Sequence, residues 1–276
     1  MTDQLLLYSL AEFETIIFEC LNIIQAKRIL EIGCEAGHFT NRLIEWVEQA
    51  GGMLYCVEPQ PSETVLNQCH QSKHARLIVE TSLTALPQIG PCDCCLIDGD
   101  HNYYTVSHEL ELIWQQCQNA EQQPLIFLHD IGWPCAYRDV YYSPEQIPIE
   151  ARHPFTYQQG VTLACQELID GGFRGEGAFA WAVHQGGQQN GVMTAVNDFL
   201  ERHNSFSLAE IPCIFGLGIL YQSNCTYARK LQDFLSFYDK NILLAKLEQN
   251  RLHLYLKVLE LQDQLLALKQ LTNPLQ

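Results

Sequence analysis

Arg28-Ile29-Leu30-Glu31-Ile32-Gly33-Cys34-Glu35-Ala36-Gly37-His38-Phe39 is the stretch on which the reading of the fold depends. A short apolar run meets an acid, passes two glycines and continues into Asn41-Arg42-Leu43-Ile44-Glu45-Trp46-Val47, where apolar residues recur with helical spacing. The run is too short to be a helix of its own, so the stretch reads as strand, tight turn and helix. Gly33 and Gly37 let the backbone turn sharply and let a ligand approach without meeting a Cβ. The N–H groups that open the helix then face whatever lies above the strand.

The same alternation runs outward from this unit. Before it, residues 5–25 carry a broad apolar helical face that includes Leu6, Leu10, Phe13, Ile17 and Leu21. After it, Gly51-Gly52 breaks the chain and Met53–Pro59 reads as a second strand with Glu58 at its end. A helix near 61–71 precedes a third strand at Arg76–Val79. Cys92–Asp98 is the fourth strand, a helix follows near 103–119, and Pro124–Asp130 is the fifth. Near-continuously apolar strands alternating with helices predict a parallel sheet covered on both faces. The polar residues collect at the carboxyl ends of the strands, where such sheets bind ligands.

Residues 131–190 interrupt the pattern with aromatics, Pro and Gly, a helical piece near 160–170 and a strand around Ala178–His184. An excursion of this length reads as an active-site lid. A helix at about 191–203 and a closing strand pair, Phe206–Ile211 and Phe215–Tyr221, complete the sheet. From about 227 to 270 the chain is helical, and Leu244, Leu247, Leu254, Val258, Leu261, Leu265 and Leu268 keep a seven-residue spacing interrupted by Arg251. That pattern marks a candidate helix for homo-oligomers; docking on its own domain would satisfy it equally. The expected architecture is an α/β, Rossmann-like sheet of seven mostly parallel strands in a domain over 1–226, with the lid at 131–190 and a helical extension over 227–276.

Composition excludes several partners. A net charge of −16 opposes nucleic acid and anionic membranes. No apolar run is long enough to span a bilayer, and Met1-Thr2-Asp3-Gln4 lacks the positive region of a signal peptide. Five of the twelve cysteines, Cys34, Cys56, Cys92, Cys94 and Cys95, lie in or beside strand-like runs, which reads as reduced, buried thiols in a cytoplasmic protein.

Glu31-x-Gly33-x-x-x-Gly37 alone is a weak signal, and Glu58 strengthens it. A carboxylate at the tip of the neighbouring strand can accept both hydroxyls of a ribose. The G-x-G-x-x-G turn that a pyrophosphate needs is missing, so a nucleoside without phosphates suits these residues better than NAD does. Asp98-Gly99-Asp100-His101 and His129-Asp130 place ionisable side chains directly after strands four and five. In the insertion, Trp133, Tyr137 and Arg138 offer stacking surface and a cation for an acceptor, while a self-packed loop with an Arg138–Asp139 bridge is the bland alternative. His184 and Asn190 stand where the lid returns to the pocket mouth, with Asn190 also a plain helix cap.

Glu31-Ile32-Gly33-Cys34-Glu35-Ala36-Gly37, Glu58 and Leu96-Ile97-Asp98-Gly99-Asp100-His101-Asn102-Tyr103 together resemble the class I S-adenosylmethionine-dependent methyltransferases. The nearest look is to the branch of small-molecule and natural-product O-methyltransferases. The resemblance covers about 25–145 and, more loosely, the strand pair near 205–222. It implies that Glu31, Gly33 and Gly37 hold the methionine part of the cofactor, Glu58 the ribose and Ser82 the adenine, with Thr81 standing where the family often has an acid. Asp98 is implied on the cofactor side and in catalysis.

In related metal-dependent enzymes an acid after strand four and a polar pair after strand five hold a divalent cation. By position these are Asp98, His129 and Asp130. Mg²⁺ or another divalent ion there would orient an acceptor hydroxyl and lower its pKa. His129 departs from the acid usual at its place, and a metal-free site would use His101 or His129 as general base. The implied partner is a small-molecule acceptor. An NAD(P)-linked oxidoreductase or epimerase on a similar fold, and a non-catalytic interaction protein built around the leucine-striped helix, are the rival readings.

Overall fold

Gly33 and Gly37 set the first strand–turn–helix unit at φ of +84° and +82°, where L side chains are strained. A Cβ on Gly33 would stand 2.2 Å from the Asp98 carbonyl oxygen, so strands one and four close up only around a glycine. These contacts come from a computed structural model, which describes residues 6–272, with side chains described to 270. Met1–Gln4, read above for a leader, lies outside the described residues.

The unit is β1 (Arg28–Ile32) followed by α2 (His38–Ala50), with α1 (Glu14–Ile24) before it. β2 (Met53–Val57), α3 (Glu63–Gln71), β3 (Ala75–Ile78), α4 (Ser82–Ile89), β4 (Cys94–Ile97), α5 (Tyr103–Asn119) and β5 (Leu125–His129) continue the alternation. The insertion carries β6 (Val140–Tyr141), β7 (Phe155–Thr156) and β8 (Ala180–Ala182). The chain then runs through α6 (Val192–Arg202), β9 (Phe206–Ile211), β10 (Leu217–Gln222), α7 (Ala228–Leu235) and α8 (Ile242–Thr272).

The main sheet has the order β3-β2-β1-β4-β5-β10-β9. The first five strands are parallel, and β10 runs antiparallel to both β5 and β9. This is the expected Rossmann-like sheet, and the strand order reverses direction between β1 and β4, where open α/β sheets bind ligands. Alternate side chains feed two cores. Ile29, Leu54 and Phe127 pack beneath α1, α2 and α7, while Leu30, Ile97 and Leu128 pack against α4, α5 and α6. Among the described residues no helix is long and apolar enough to cross a membrane.

Two departures from the expected elements stand out. α4 was not foreseen, because it is only eight residues long and holds Pro87; Ala85, Leu86 and Ile89 nevertheless anchor it on α5. The helix expected near 160–170 is absent. Gly160 pairs with Ile169 and Val161 with Phe173 in isolated bridges, and Gly160 lies so close to the Gly171 carbonyl that a Cβ would stand 2.2 Å from it. A three-stranded sheet, β6-β8-β7, organises the insertion instead. Beyond residue 226, Leu231 and Leu235 of α7 are buried in the first core, and the chain breaks between α7 and α8.

α8 docks on its own domain through Glu248, Leu252, Tyr255 and Leu259. Leu252 is buried, Glu248 accepts the Ile214 and Phe215 N–H groups at 3.0 and 2.9 Å, and Arg251 lies over the Phe215 ring. Arg174 of the insertion forks onto Asp263 at 2.7 and 3.1 Å. Leu243, Leu247, Leu254, Leu261 and Leu265 point away from this interface and are 52–65% exposed.

Candidate functional site

Two adjoining cavities open above the carboxyl ends of the strands. The first, about 610 Å³, is lined by Gly33, Glu58, Ser82 and Asp98 among others. Glu58 ends β2, and its carboxylate is fixed by two backbone donors: Cys34 N–H at 3.1 Å and Gln60 N–H at 3.0 Å. A carboxylate has about four acceptor positions, so two remain to face the cavity. Ser82 and Thr81 bring the start of α4 to the same wall. Burial raises Asp100, against the pull of neighbouring His101.

The second cavity, about 770 Å³, is lined by Asp98, His101, His129 and Asp130 on one side. Phe173, Phe179, Trp181, Phe215 and Tyr255 form an apolar, aromatic wall opposite. Glu35, Asp98, Tyr142 and Ala178 line both cavities, so the two meet at Asp98.

The ionisable groups at this junction form two linked pairs. His129 Nδ1 donates to Asp98 Oδ1 at 3.0 Å, and its Nε2 donates to the Ile214 carbonyl at 2.9 Å. Burial disfavours a charged His129, but Asp98 and Asp130 outweigh it and hold the imidazole up to about 9. A ring with both nitrogens donating has no lone pair for a substrate proton, so His129 is not the base in this state. His101 Nε2 lies 3.0 Å from Asp130 Oδ2, and its ring faces the cavity beside Tyr142. Asp130 stands at φ +58°, a conformation that non-glycine residues hold at a cost and that recurs at functional sites.

One ligand atom each from Asp98, His129 and Asp130 falls within 4.8 Å of the others. Because Nε2 is committed to the Ile214 carbonyl, a bound cation would take the proton's place on Nδ1. Two carboxylates and one imidazole fit a divalent transition ion better than Mg²⁺, which prefers oxygen alone. Glu248 of α8 braces this arrangement from behind, since it accepts the N–H of the same Ile214 whose carbonyl holds His129.

Several residues singled out in the sequence stand elsewhere. Glu31 is 2% exposed and lies beneath the turn, facing Cys34 and the Thr40 side, because strand alternation turns it away from Ile32 and the cavity. Burial pushes its carboxyl up to about 8. Gly37 serves packing rather than the cavity: a Cβ there would meet Gln68 and Val65 of α3. None of Trp133, Tyr137, Arg138, His184 and Asn190 lines either cavity. Trp133 packs on Phe173 and Phe215, and Tyr137 and His184 are exposed.

Arg138 is buried and donates to the carbonyls of Ala182, Val183 and Gln166, not to Asp139. Asn190 accepts from Asp139 N–H and donates to the His184 and Gly186 carbonyls. Asp139 instead gathers the N–H groups of Tyr103 and Gly191 and the Tyr141 hydroxyl. These residues hold the insertion together. The aromatic residues that line the second cavity, Tyr142, Phe173, Phe179 and Tyr255 among them, were not picked out. Only their aromatic character was visible, and nothing local joins positions so far apart in the chain.

Comparison with known proteins agrees with this geometry over part of the chain. Residues 30–131 match the family model described as a methyltransferase domain. Among curated protein sequences none matches at a significant level. Among solved structures, the SAH-bound methyltransferase PaMTH1 of Podospora anserina is similar at 14% identity and a TM-score of 0.48, over 78% of this chain and 79% of that one. The O-methyltransferase TomG of Streptomyces achromogenes, involved in tomaymycin synthesis and solved with SAM, is similar at 14% identity and a TM-score of 0.47, over 78% and 82%. Likeness at that level adds no weight to the assignment of the site.

Proposed function

We propose that the enzyme, whose residues 30–131 match a methyltransferase-domain model, is a class I methyltransferase that transfers the methyl group of S-adenosylmethionine to a hydroxyl of a small, flat, largely apolar acceptor of the natural-product kind. The observation that carries this reading is the meeting of the two cavities at Asp98. One holds a ribose-competent carboxylate and the other an aromatic wall. When bound, S-adenosylmethionine supplies an electrophilic methyl on a sulfonium sulfur. Glu58 and Gly33 hold its sugar and amino-acid ends, and the aromatic wall sets the acceptor in line with the methyl. Such positioning accounts for much of the rate in a displacement of this type.

The acceptor proton needs a destination. In the metal-free form it goes to His101, oriented by Asp130 as a second group orients a catalytic histidine. In a metal form, Asp98, His129 Nδ1 and Asp130 would hold a divalent transition ion, which would lower the acceptor's pKa so that its proton leaves to solvent. Methyl transfer from labelled S-adenosylmethionine to a panel of phenols, run with and without a chelator, separates the two. Turnover abolished by chelation and restored by Mn²⁺ favours the metal form; turnover unaffected favours His101. No transfer to any hydroxyl, with NAD-linked oxidation instead, removes the proposal. Twelve free cysteines fit a reducing, cytoplasmic setting.

The partner proposed for the open face of α8 is a second copy of this chain. At about 100° per residue, Leu243, Leu247, Leu254, Leu261 and Leu265 stand roughly 130° around the helix from the docked face. A sustained seven-residue period calls for a partner helix of equal period, and no other described helix exceeds 17 residues. Two such faces with their flanking stems bury about 1,000 Å², the lower bound of a specific interface. Sedimentation should give a dimer that Leu254→Glu with Leu261→Glu converts to a monomer. A monomeric wild type would overturn this assignment.

A further inference from the structure

Directly beneath the turn of the first cavity lies a second group of metal-competent side chains. β1 and β2 are in register so that Glu31 stands opposite Cys56 on one face of the sheet. Cys34 returns over that face from the turn, and Cys69 comes down from α3, which packs close to α2 because Gly37 leaves room for Val65 and Gln68. We propose that Cys34, Cys56, Cys69 and Glu31 form a buried site for one thiophilic divalent cation, with Zn²⁺ the best match.

The geometry supports it in three ways. Ligand atoms of Glu31, Cys34 and Cys56 all lie within 4.8 Å of one another. The Cys34 thiol is 3.7 Å from Glu31 Oε2, and the Cys56 and Cys69 sulfurs are 3.7 Å apart. A tetrahedral Zn²⁺ with Zn–S bonds of about 2.3 Å places its ligand sulfurs about 3.8 Å apart, the spacing of Cys56 and Cys69. Cys69 stands outside the 4.8 Å group and reaches it through Cys56, so its side chain must turn inward to complete the site.

Hydrophobic packing of thiols accounts for buried cysteines elsewhere in this chain, as with Cys94 and Cys95, which face opposite cores. Here, by contrast, the thiols share their pocket with a fully buried carboxyl that forms no ion pair among the described residues. Three thiolates and one carboxylate select a borderline-soft ion over Mg²⁺ or Ca²⁺. The site has no open position, so its role is structural. Because the Cys34 N–H also donates to Glu58, an ion here fixes the turn that orients the ribose-binding carboxylate.

The test uses the full chain, purified under reducing conditions without a histidine tag and treated briefly with a mild chelator. Elemental analysis should give close to one Zn²⁺ per chain. Replacement by Co²⁺ should give thiolate-to-cobalt charge-transfer bands with the strong visible absorption of a tetrahedral ion. Cys69→Ser, on the peripheral helix, and Cys56→Ser should each lower the zinc content at least tenfold and remove those bands. Cys92→Ser and Asp98→Asn should keep both, which separates this site from the one at Asp98. Circular dichroism at low temperature identifies any variant that fails to fold, and Cys69→Ser then decides. Less than a tenth of an equivalent of zinc with no cobalt–thiolate bands overturns the proposal. So do bands that survive Cys69→Ser in a folded protein.

Discussion

The two cavities were built by different kinds of sequence information. The first takes its floor from the ends of consecutive strands and the turns that follow them, at Gly33, Glu58, Ser82 and Asp98, and only its outer wall, from Tyr142 to Pro148, from the insertion. Each of those four floor residues is placed by its own strand and turn, within a few positions of the signal that reveals it. The second is assembled from Leu6, His129, Tyr142, Phe179, Phe215 and Tyr255, which only the tertiary fold brings together. A cavity of the first kind is dictated by the sheet, while one of the second kind varies with the insertion and α8. On the proposed function, the first would take the common donor and the second would set the acceptor.

Substitutions can break that division or sharpen it. The largest effect belongs to Asp98, the junction of both cavities. Asp98→Ala should lower kcat/KM by about 10³-fold, measured as methyl transfer. A loss below tenfold would mean that the cavities do not meet in function there. On the acceptor side, Tyr255→Ala removes part of the aromatic wall and should raise the acceptor KM about tenfold or more. Cofactor affinity should stay unchanged; a matching loss of cofactor affinity would erase the distinction between the cavities. Glu248→Ala should cost about tenfold in kcat by loosening the Ile214 carbonyl behind His129. Its cofactor affinity should again be preserved.

The same contrast governs what could be read before the structure was known. Gly33 was legible because a turn of that sharpness needs a glycine, and the structure shows the clash any Cβ would create. The sheet followed from apolar runs spaced by helices. Glu31 was harder: the motif marked it, yet strand alternation turns it inward, so a residue that belongs to the pattern does not face the ligand. α4 was hidden by Pro87, and the bridges around Gly160 depend on contacts nine and twelve residues away, which no local spacing reveals. Arg138 and Asn190 looked like substrate groups because buried polar side chains that cap and clamp a loop have the same composition as a binding site. Only their partners tell the two apart.

A further prediction concerns stability rather than catalysis. Burial pushes Glu109 of α5 up to about 8, against a smaller opposing pull from Ser82. Its folded pKa is raised above the unfolded value of 4.5, so the folded state holds more protons between the two. Stability should therefore be fully present below about pH 4.5 for this group and fall as pH rises toward 8, by about 1.4 kcal/mol per pH unit. Glu109→Gln should flatten that slope in denaturant titrations across the same window. An unchanged slope would place the proton elsewhere.

The central claim is that the cavity above β1 and β2 grips a nucleoside through one carboxylate. Calorimetric titration of S-adenosylhomocysteine into the wild type and Glu58→Ala tests it most directly. The account predicts one site per chain, weakened about tenfold to a hundredfold by the loss of hydrogen bonds to a charged acceptor. No binding to the wild type, or equal affinity for the two proteins, would contradict it.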